Sequence, residues 1–168
     1  MEEKFSKGVA LITGTTSGIG LNTLKPLVRS GWDVVAINRS NKKAFEAANT
    51  ILTKVDLSNM SFIEIDLSNL DSVRKGTDEV LERFANNLKI LICNAAVYKP
   101  RLKRPERSAQ GYEKSMAVNH FGHFLMINLL IKELISSQKK IYLGGKNVNF
   151  IPRITILGTV TANYLELG

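Results

Sequence analysis

Thr13-Gly14-Thr15-Thr16-Ser17-Gly18-Ile19-Gly20 joins an apolar run, Gly8-Val9-Ala10-Leu11-Ile12, to a segment from Leu21 to Arg29 with helical periodicity. The run has the length and β-branched content of a buried strand, so the octapeptide is a strand-to-helix junction. At such a junction the first N–H groups of the helix lack intrahelical partners and point outward, with the positive end of the helix dipole behind them. That arrangement suits a pyrophosphate. Gly14 permits the sharp turn, Gly18 lets a phosphate approach the backbone, and Gly20 lets the helix sit close to the strand. An ordinary glycine-rich turn is the plainer alternative. The spacing, Gly-x3-Gly-x-Gly after a threonine, also differs from the common G-x-G-x-x-G fingerprint.

The 168 residues suffice for one domain with a real core, and 44% apolar with 23% charged residues is a folded composition. Phe121 to Ile135, the longest apolar candidate, is interrupted by His123, Asn128, Lys132 and Glu133, falls short of the ~18 to 20 residues of a membrane span, and reads as a buried helix. Met1-Glu2-Glu3-Lys4 has the layout of neither a secretory signal nor a transit peptide, so either no leader is needed or it lies outside this stretch. The formal charge of +8 comes from scattered residues. Its one cluster, Lys99, Arg101, Lys103, Arg104 and Arg107, is interleaved with Pro100 and Pro105 and reads as a solvated loop, so no nucleic-acid partner is expected. The charge leaves open an anionic substrate or peripheral membrane association, and the sequence as a whole leaves open homo-oligomerisation. Cys93 is the only cysteine, which excludes an internal disulfide, and His120 and His123 have no acidic or sulfur partner near them in sequence, so no metal site is expected.

Along the chain, Ile19 to Arg29 predicts a helix with Leu24, Leu27 and Val28 on one side, bent near Asn22 by Pro26. Asp33 to Ile37 is a second strand ending at Asn38-Arg39-Ser40, with no carboxylate for a ribose 2′-OH and an arginine suited to a 2′-phosphate, which favours NADPH. Lys42 to Lys54 is helical in pattern. Asp-Leu-Ser-Asn occurs at Asp56 to Asn59, read as a turn after that helix, and at Asp66 to Asn69, at the end of the strand Ser61 to Ile65. Ser68 or Asn69 caps the next helix. Leu88 to Cys93 is a fourth strand, leading into Asn94-Ala95-Ala96-Val97-Tyr98, where small residues admit a flat ligand and Asn94 can bond a neighbouring strand. A long helix is expected from about Gly111 to Ser136; Asn119 on it needs hydrogen-bond partners. Gln138 to Ile151 looks irregular, and Arg153 to Leu157 is a fifth strand. Strands alternating with helices predict a doubly wound α/β fold, a Rossmann-like parallel sheet.

Thr13 to Gly20, Asp66-Leu67, Cys93-Asn94-Ala95-Ala96 and Val118-Asn119-His120-Phe121-Gly122-His123-Phe124 resemble the successive signatures of short-chain dehydrogenases/reductases. Within that superfamily, Asn94 to Pro100, Gly111-Tyr112-Glu113-Lys114-Ser115 and Ile156-Leu157-Gly158-Thr159-Val160-Thr161 are similar to the light-dependent protochlorophyllide oxidoreductase family. The resemblance covers nearly the whole chain, Ser137 to Pro152 excepted. It implies hydride transfer from NADPH to one carbon of the ring D double bond of light-excited protochlorophyllide, with a proton added to the other. It also implies that Gly14, Ser17, Gly18, Ile19 and Gly20 hold the pyrophosphate and ribose, and Arg39 the 2′-phosphate. Asp66 and Leu67 would flank the adenine, and Asn94, Ala95 and Ala96 would line the cofactor path. Asn119 would be the asparagine of the catalytic tetrad, Thr159 would stand at the catalytic serine position, and Tyr98 would face the pigment. The location implied is a plastid, or the cytoplasm or thylakoid of a prokaryotic phototroph.

The superfamily's Tyr-x3-Lys, expected on the helix after the fifth strand, does not occur there in these 168 residues. Tyr142-Leu143-Gly144-Gly145-Lys146 is a lookalike, but it precedes that strand, and two adjacent glycines cost a helix roughly 2 kcal/mol. Residues 1–168 are therefore expected to form the NADP-binding domain of a longer enzyme, cut before that helix. Two alternatives are a retinol-dehydrogenase-like NADPH reductase, which would show Ser-Ser where this chain has Gly158-Thr159, and a non-catalytic dinucleotide-binding module.

Overall fold

The structure, a computed structural model, describes residues 7–99, 104–137, 140–143 and 146–158. The strands β1 (Val9–Thr13), β2 (Asp33–Asn38), β3 (Met60–Glu64) and β4 (Leu88–Cys93) alternate with the helices α1 (Gly18–Arg29), α2 (Asn41–Asn49), α3 (Lys54–Leu57) and α4 (Leu70–Phe84). There follow α5 (Lys114–Met116), a π-helical turn (Ala117–Gly122), α6 (His123–Ser136), β5 (Lys140–Leu143), β6 (Lys146–Asn149) and β7 (Arg153–Ile156). Among the described residues no helix is long and apolar enough to cross a membrane.

Five strands form one parallel sheet in the order β3-β2-β1-β4-β7, so the expected doubly wound fold is present. Successive residues of a strand point to opposite faces, and the continuous apolar run of β1 therefore feeds two cores. Val9 and Leu11 join Val35, Leu91, Met126 and Leu130 on the α4 and α6 side. Ala10 and Ile12 join Leu24, Val28 and Ala48 on the α1 and α2 side. Gly76 lies mid-helix in α4 because a Cβ there would stand 2.3 Å from Cγ1 of Ile65; the closeness of helix to strand outweighs the propensity cost.

The structure corrects three expectations. The helix expected over 42–54 stops at Asn49, and a new one begins after Thr53, whose hydroxyl accepts from the Asp56 N–H at 3.1 Å while the Asp56 carboxylate accepts from the Thr53 N–H at 3.1 Å. Asp56 is thus half of a capping box inside α3, not a turn residue behind a helix. The long helix starts at Lys114, after the Glu113 cap, and opens into the π turn at Ala117. The stretch expected to be irregular contains an antiparallel pair, β5 with β6, in the register Lys140↔Asn149 to Leu143↔Lys146. Tyr142 and Lys146 stand on those two strands, so the lookalike is not helical. Pro26 is contained in the last turn of α1, which runs to Arg29, and its carbonyl accepts the Ser30 N–H at 3.0 Å.

Candidate functional site

The chain lays β2 and β3 on one side of β1, and β4 and β7 on the other. The carboxyl ends of β1 and β4 therefore flank the point where strand order reverses, the crevice that holds ligands in open α/β sheets. Gly14 (φ +73) and Gly18 (φ +58) both adopt left-handed backbone. A Cβ on Gly14 would lie 2.7 Å from Cα of Ala95, and one on Gly20 would lie 2.2 Å from the Gly14 carbonyl oxygen and 2.4 Å from Nδ2 of Asn94. Gly14 and Gly20 are thus required by packing. Gly18 has nothing within 4 Å of its missing side chain and faces open space. Ser17 starts α1 in extended conformation without a side-chain cap bond, and the first turn holds no acidic residue. The N-terminal N–H groups of this twelve-residue helix therefore lack an internal anion. Ile19, 68% exposed, projects beside them.

Behind the turn, two polar anchors fix its shape. Thr15 and Asn38, both buried, exchange two hydrogen bonds: the Thr15 N–H donates to Asn38 Oδ1 at 2.7 Å, and Asn38 Nδ2 donates to Thr15 Oγ1 at 2.7 Å. The Thr13 hydroxyl, fully buried, accepts from the N–H groups of Asn94 and Ala95, both at 2.9 Å, and lies 2.9 Å from Nε2 of His123. Asn94 returns the bond with Nδ2, which donates to the carbonyls of Thr13 (2.9 Å) and Gly14 (3.0 Å). The expected link from Asn94 to its neighbour strand is therefore present.

Asn119 sits in the π turn and is exposed. Its amide clamps the loop after β4, accepting from the Val97 N–H at 2.7 Å and donating to the Val97 carbonyl at 2.9 Å. The neighbouring Gly122 lets the turn press on the loop between β3 and α4, since a Cβ there would be 2.4 Å from the Leu67 carbonyl oxygen. Ala96 and Tyr98 are exposed, Tyr98 at 84%. His123, 4% exposed, titrates below the ordinary imidazole value because burial disfavours its cation, a push only partly offset by the Asn119 carbonyl. Burial also raises the Cys93 thiol to about 12, so it stays protonated.

Arg39 lies at the end of β2 on a cleft of about 310 Å³ lined also by Glu64, Asp66, Ser72, Lys75 and Glu79. Asp66 is engaged locally, its Oδ1 accepting from the Ser68 N–H (2.8 Å) and hydroxyl (2.7 Å), and Glu64 accepts from the Asn41 N–H at 3.2 Å. Arg39 has no hydrogen-bond or ion-pair partner among the described residues, which leaves its guanidinium available. Leu67, at 5% exposure, packs in the core.

The glycine turn, Asn94, Ala95 and Asn119 are thus brought to one rim, with Arg39 and Asp66 at the β2–β3 end of it. Thr159 lies outside the described residues. Sequence reading missed three contributors: the Thr13 hydroxyl, Asn38 and His123. A threonine and an amide closing two otherwise apolar strands were the available signal. Gln110 was also missed. It ties the loop before α5 to the start of α4 through the Leu70 N–H and the Asn69 side chain, both at 3.2 Å.

A parallel sheet with this glycine turn at its switch point defines a dinucleotide-binding fold class, and the family model described as short chain dehydrogenase matches residues 8–141. The chain belongs to that family. It is 39% identical over 158 residues to a chloroplastic protochlorophyllide reductase of Chlamydomonas reinhardtii, covering 94% of this chain and 36% of that protein. It is 38% identical to protochlorophyllide reductase A of Arabidopsis thaliana, with the same coverage of 94% and 36%. The chain thus spans little more than a third of the length of these relatives. Among solved structures, a bulky-bulky ketone specific alcohol dehydrogenase from Comamonas testosteroni matches 96% of this chain and 58% of its own with a TM-score of 0.71 at 20% identity. A 3-ketoacyl-(acyl-carrier-protein) reductase from Brucella melitensis, complexed with NADH, matches 79% of this chain and 52% of its own with a TM-score of 0.61 at 25% identity.

Proposed function

We propose that residues 1–168 form the NADP-binding part of a protochlorophyllide reductase, which reduces the ring D double bond of its light-excited substrate. The similarity to chloroplastic protochlorophyllide reductases over 94% of the chain carries this reading. Their names also support a plastid location. The site fits a phosphorylated dinucleotide on three counts: an α1 N-terminus without an internal anion, open space over Gly18, and an unpaired Arg39.

When bound, NADPH supplies the hydride. Ser17, Gly18, Ile19 and Gly20 hold the pyrophosphate and ribose through main-chain donors, Gly14, whose own N–H is taken by the Ile37 carbonyl at 2.9 Å, supplies the turn that carries them, and Arg39 meets the 2′-phosphate with a charge-assisted bond. Asp66 and Leu67 border the adenine end, while Asn94, Ala95 and Ala96 form the wall toward the reacting end. Asn119 keeps that wall in place through Val97, and its amide retains one N–H and one lone pair for a water on the proton path. Thr159 is assigned the hydroxyl that steadies substrate or nicotinamide, and Tyr98 contacts the pigment.

The test mixes the complete protein with NADPH and protochlorophyllide and compares absorbance before and after a flash. The expected result is conversion of the pigment band only in illuminated samples containing NADPH. Unchanged pigment in a folded protein that binds NADPH overturns the reading.

A further inference from the structure

His123 is buried and titratable, and no step of the reaction above uses it. Its partners assign its protons. The Thr13 hydroxyl oxygen has two lone pairs, and the N–H groups of Asn94 and Ala95 occupy both at 2.9 Å. The hydroxyl proton must then point elsewhere, and Nε2 of His123 at 2.9 Å is a better acceptor than the Ile92 carbonyl at 3.5 Å. Nε2 is therefore bare. On the other side of the ring, Nδ1 faces the Asn119 carbonyl at 3.5 Å, which can only accept, so Nδ1 carries the proton. Both partners demand the same neutral tautomer.

An imidazolium would bring a third donor to the Thr13 oxygen and displace one of the two loop N–H groups. The surroundings offer it no compensating charge. β1 has no ionisable residue, and on β4 Lys89 lies at the far end against the Ser137 carbonyl while the Cys93 thiol stays protonated. The charged residues of α4, from Asp71 to Arg83, are all exposed. On α6, Lys132 and Glu133 follow more than two turns later. His120 of the π turn is exposed, Arg153 of β7 is exposed and pairs in register with Ile90, and the Asp66 carboxylate is taken by Ser68.

We infer that His123 is a positioning residue of the dinucleotide site: as the Nδ1–H tautomer it takes the Thr13 hydroxyl proton, which turns both Thr13 lone pairs onto the Asn94 and Ala95 amides and sets the cofactor wall. This rests on the dinucleotide reading for its consequence, not for its geometry.

The experiment is two-bond 15N–1H NMR of the intact protein, with NADPH titrations of the wild type, His123→Gln and His123→Leu across pH. The spectrum should show Nε2 bare and Nδ1 protonated from neutral pH down past the ordinary histidine value of 6.5, with the Asn94 and Ala95 amide signals shifting when the ring titrates. Wild-type NADPH affinity should fall on the acid side of 6.5. Glutamine, which can accept from Thr13 and donate to the Asn119 carbonyl, should keep affinity within about twofold at neutral pH and flatten that acid limb. Leucine should lose about tenfold. An Nε2–H tautomer, an acid limb unchanged in the glutamine variant, or Asn94 and Ala95 amides indifferent to the titration would overturn the inference. If no NADPH binds at all, the functional reading fails, and the tautomer and amide shifts still decide the inference.

Discussion

Thr15 and Asn38 close a ring of two reciprocal 2.7 Å hydrogen bonds between the glycine turn and the end of β2. Asn38→Leu would leave the buried Thr15 N–H and hydroxyl without these partners, a loss of about 2 kcal/mol. The check is the urea midpoint, which should fall with an unchanged denaturant slope.

Gly18 and Gly20 sit two residues apart and should fail in opposite ways. Alanine at 18 meets open space and suffers only left-handed backbone strain at φ +58, about 1 kcal/mol, while obstructing the approach to the N–H groups. The fold should persist and NADPH affinity drop at least about tenfold. Alanine at 20 would stand 2.2 Å from the Gly14 carbonyl oxygen, so the turn must move, at about 2 kcal/mol or more. Thermal melts beside NADPH titrations separate the two.

Arg39→Ala removes an unpaired guanidinium from the rim of β2. If it meets the 2′-phosphate, NADPH affinity should fall about 10- to 100-fold while NADH affinity stays within about twofold. Parallel titrations with the two dinucleotides provide the measurement, and an equal loss for both would remove Arg39 from that role.

Glu106 bridges Lys99 at 2.5 Å and Lys114 at 3.0 Å, tying the loop after β4 to α5. Hydrogen bonds from Lys99 and then Lys114 hold its carboxyl down at about 2. Because the folded value is depressed, its contribution is present above the ordinary 4.5 and is lost as pH falls toward about 2. The melting-temperature gap between wild type and Glu106→Gln should therefore be small at neutral pH, narrow below 4.5 and close near 2. Salt should shrink it at neutral pH, since the group is solvent-facing.

The sheet was legible because β1 and β2 carry unbroken apolar runs and β4 one broken only by Lys89, and their alternation with helices dictates parallel pairing. Gly14, Gly18 and Gly20 were legible for the same local reason. The β5–β6 pair was not, because Lys140-Ile141-Tyr142-Leu143 and Lys146-Asn147-Val148-Asn149 are too short to establish a period. Thr53-x-x-Asp56 did carry a cap signature, but the Ala44 to Leu52 stripe ran through to it and masked the break. The π turn has no residue preference that announces it. The Thr13 hydroxyl was hidden because its partners lie 79 to 110 residues away, beyond any local pattern.

Those separations also bear on the order in which the molecule is made. A loop closed across 81 or 110 positions is among the slowest contacts a chain of this size forms. β1 and α1 can assemble early as a local unit, yet their ligand-facing shape is set only when β4 and then α6 arrive. Competence to bind is therefore expected to come late in folding, so that nucleotide binding followed during refolding would report the arrival of distant segments rather than the formation of the first crossover.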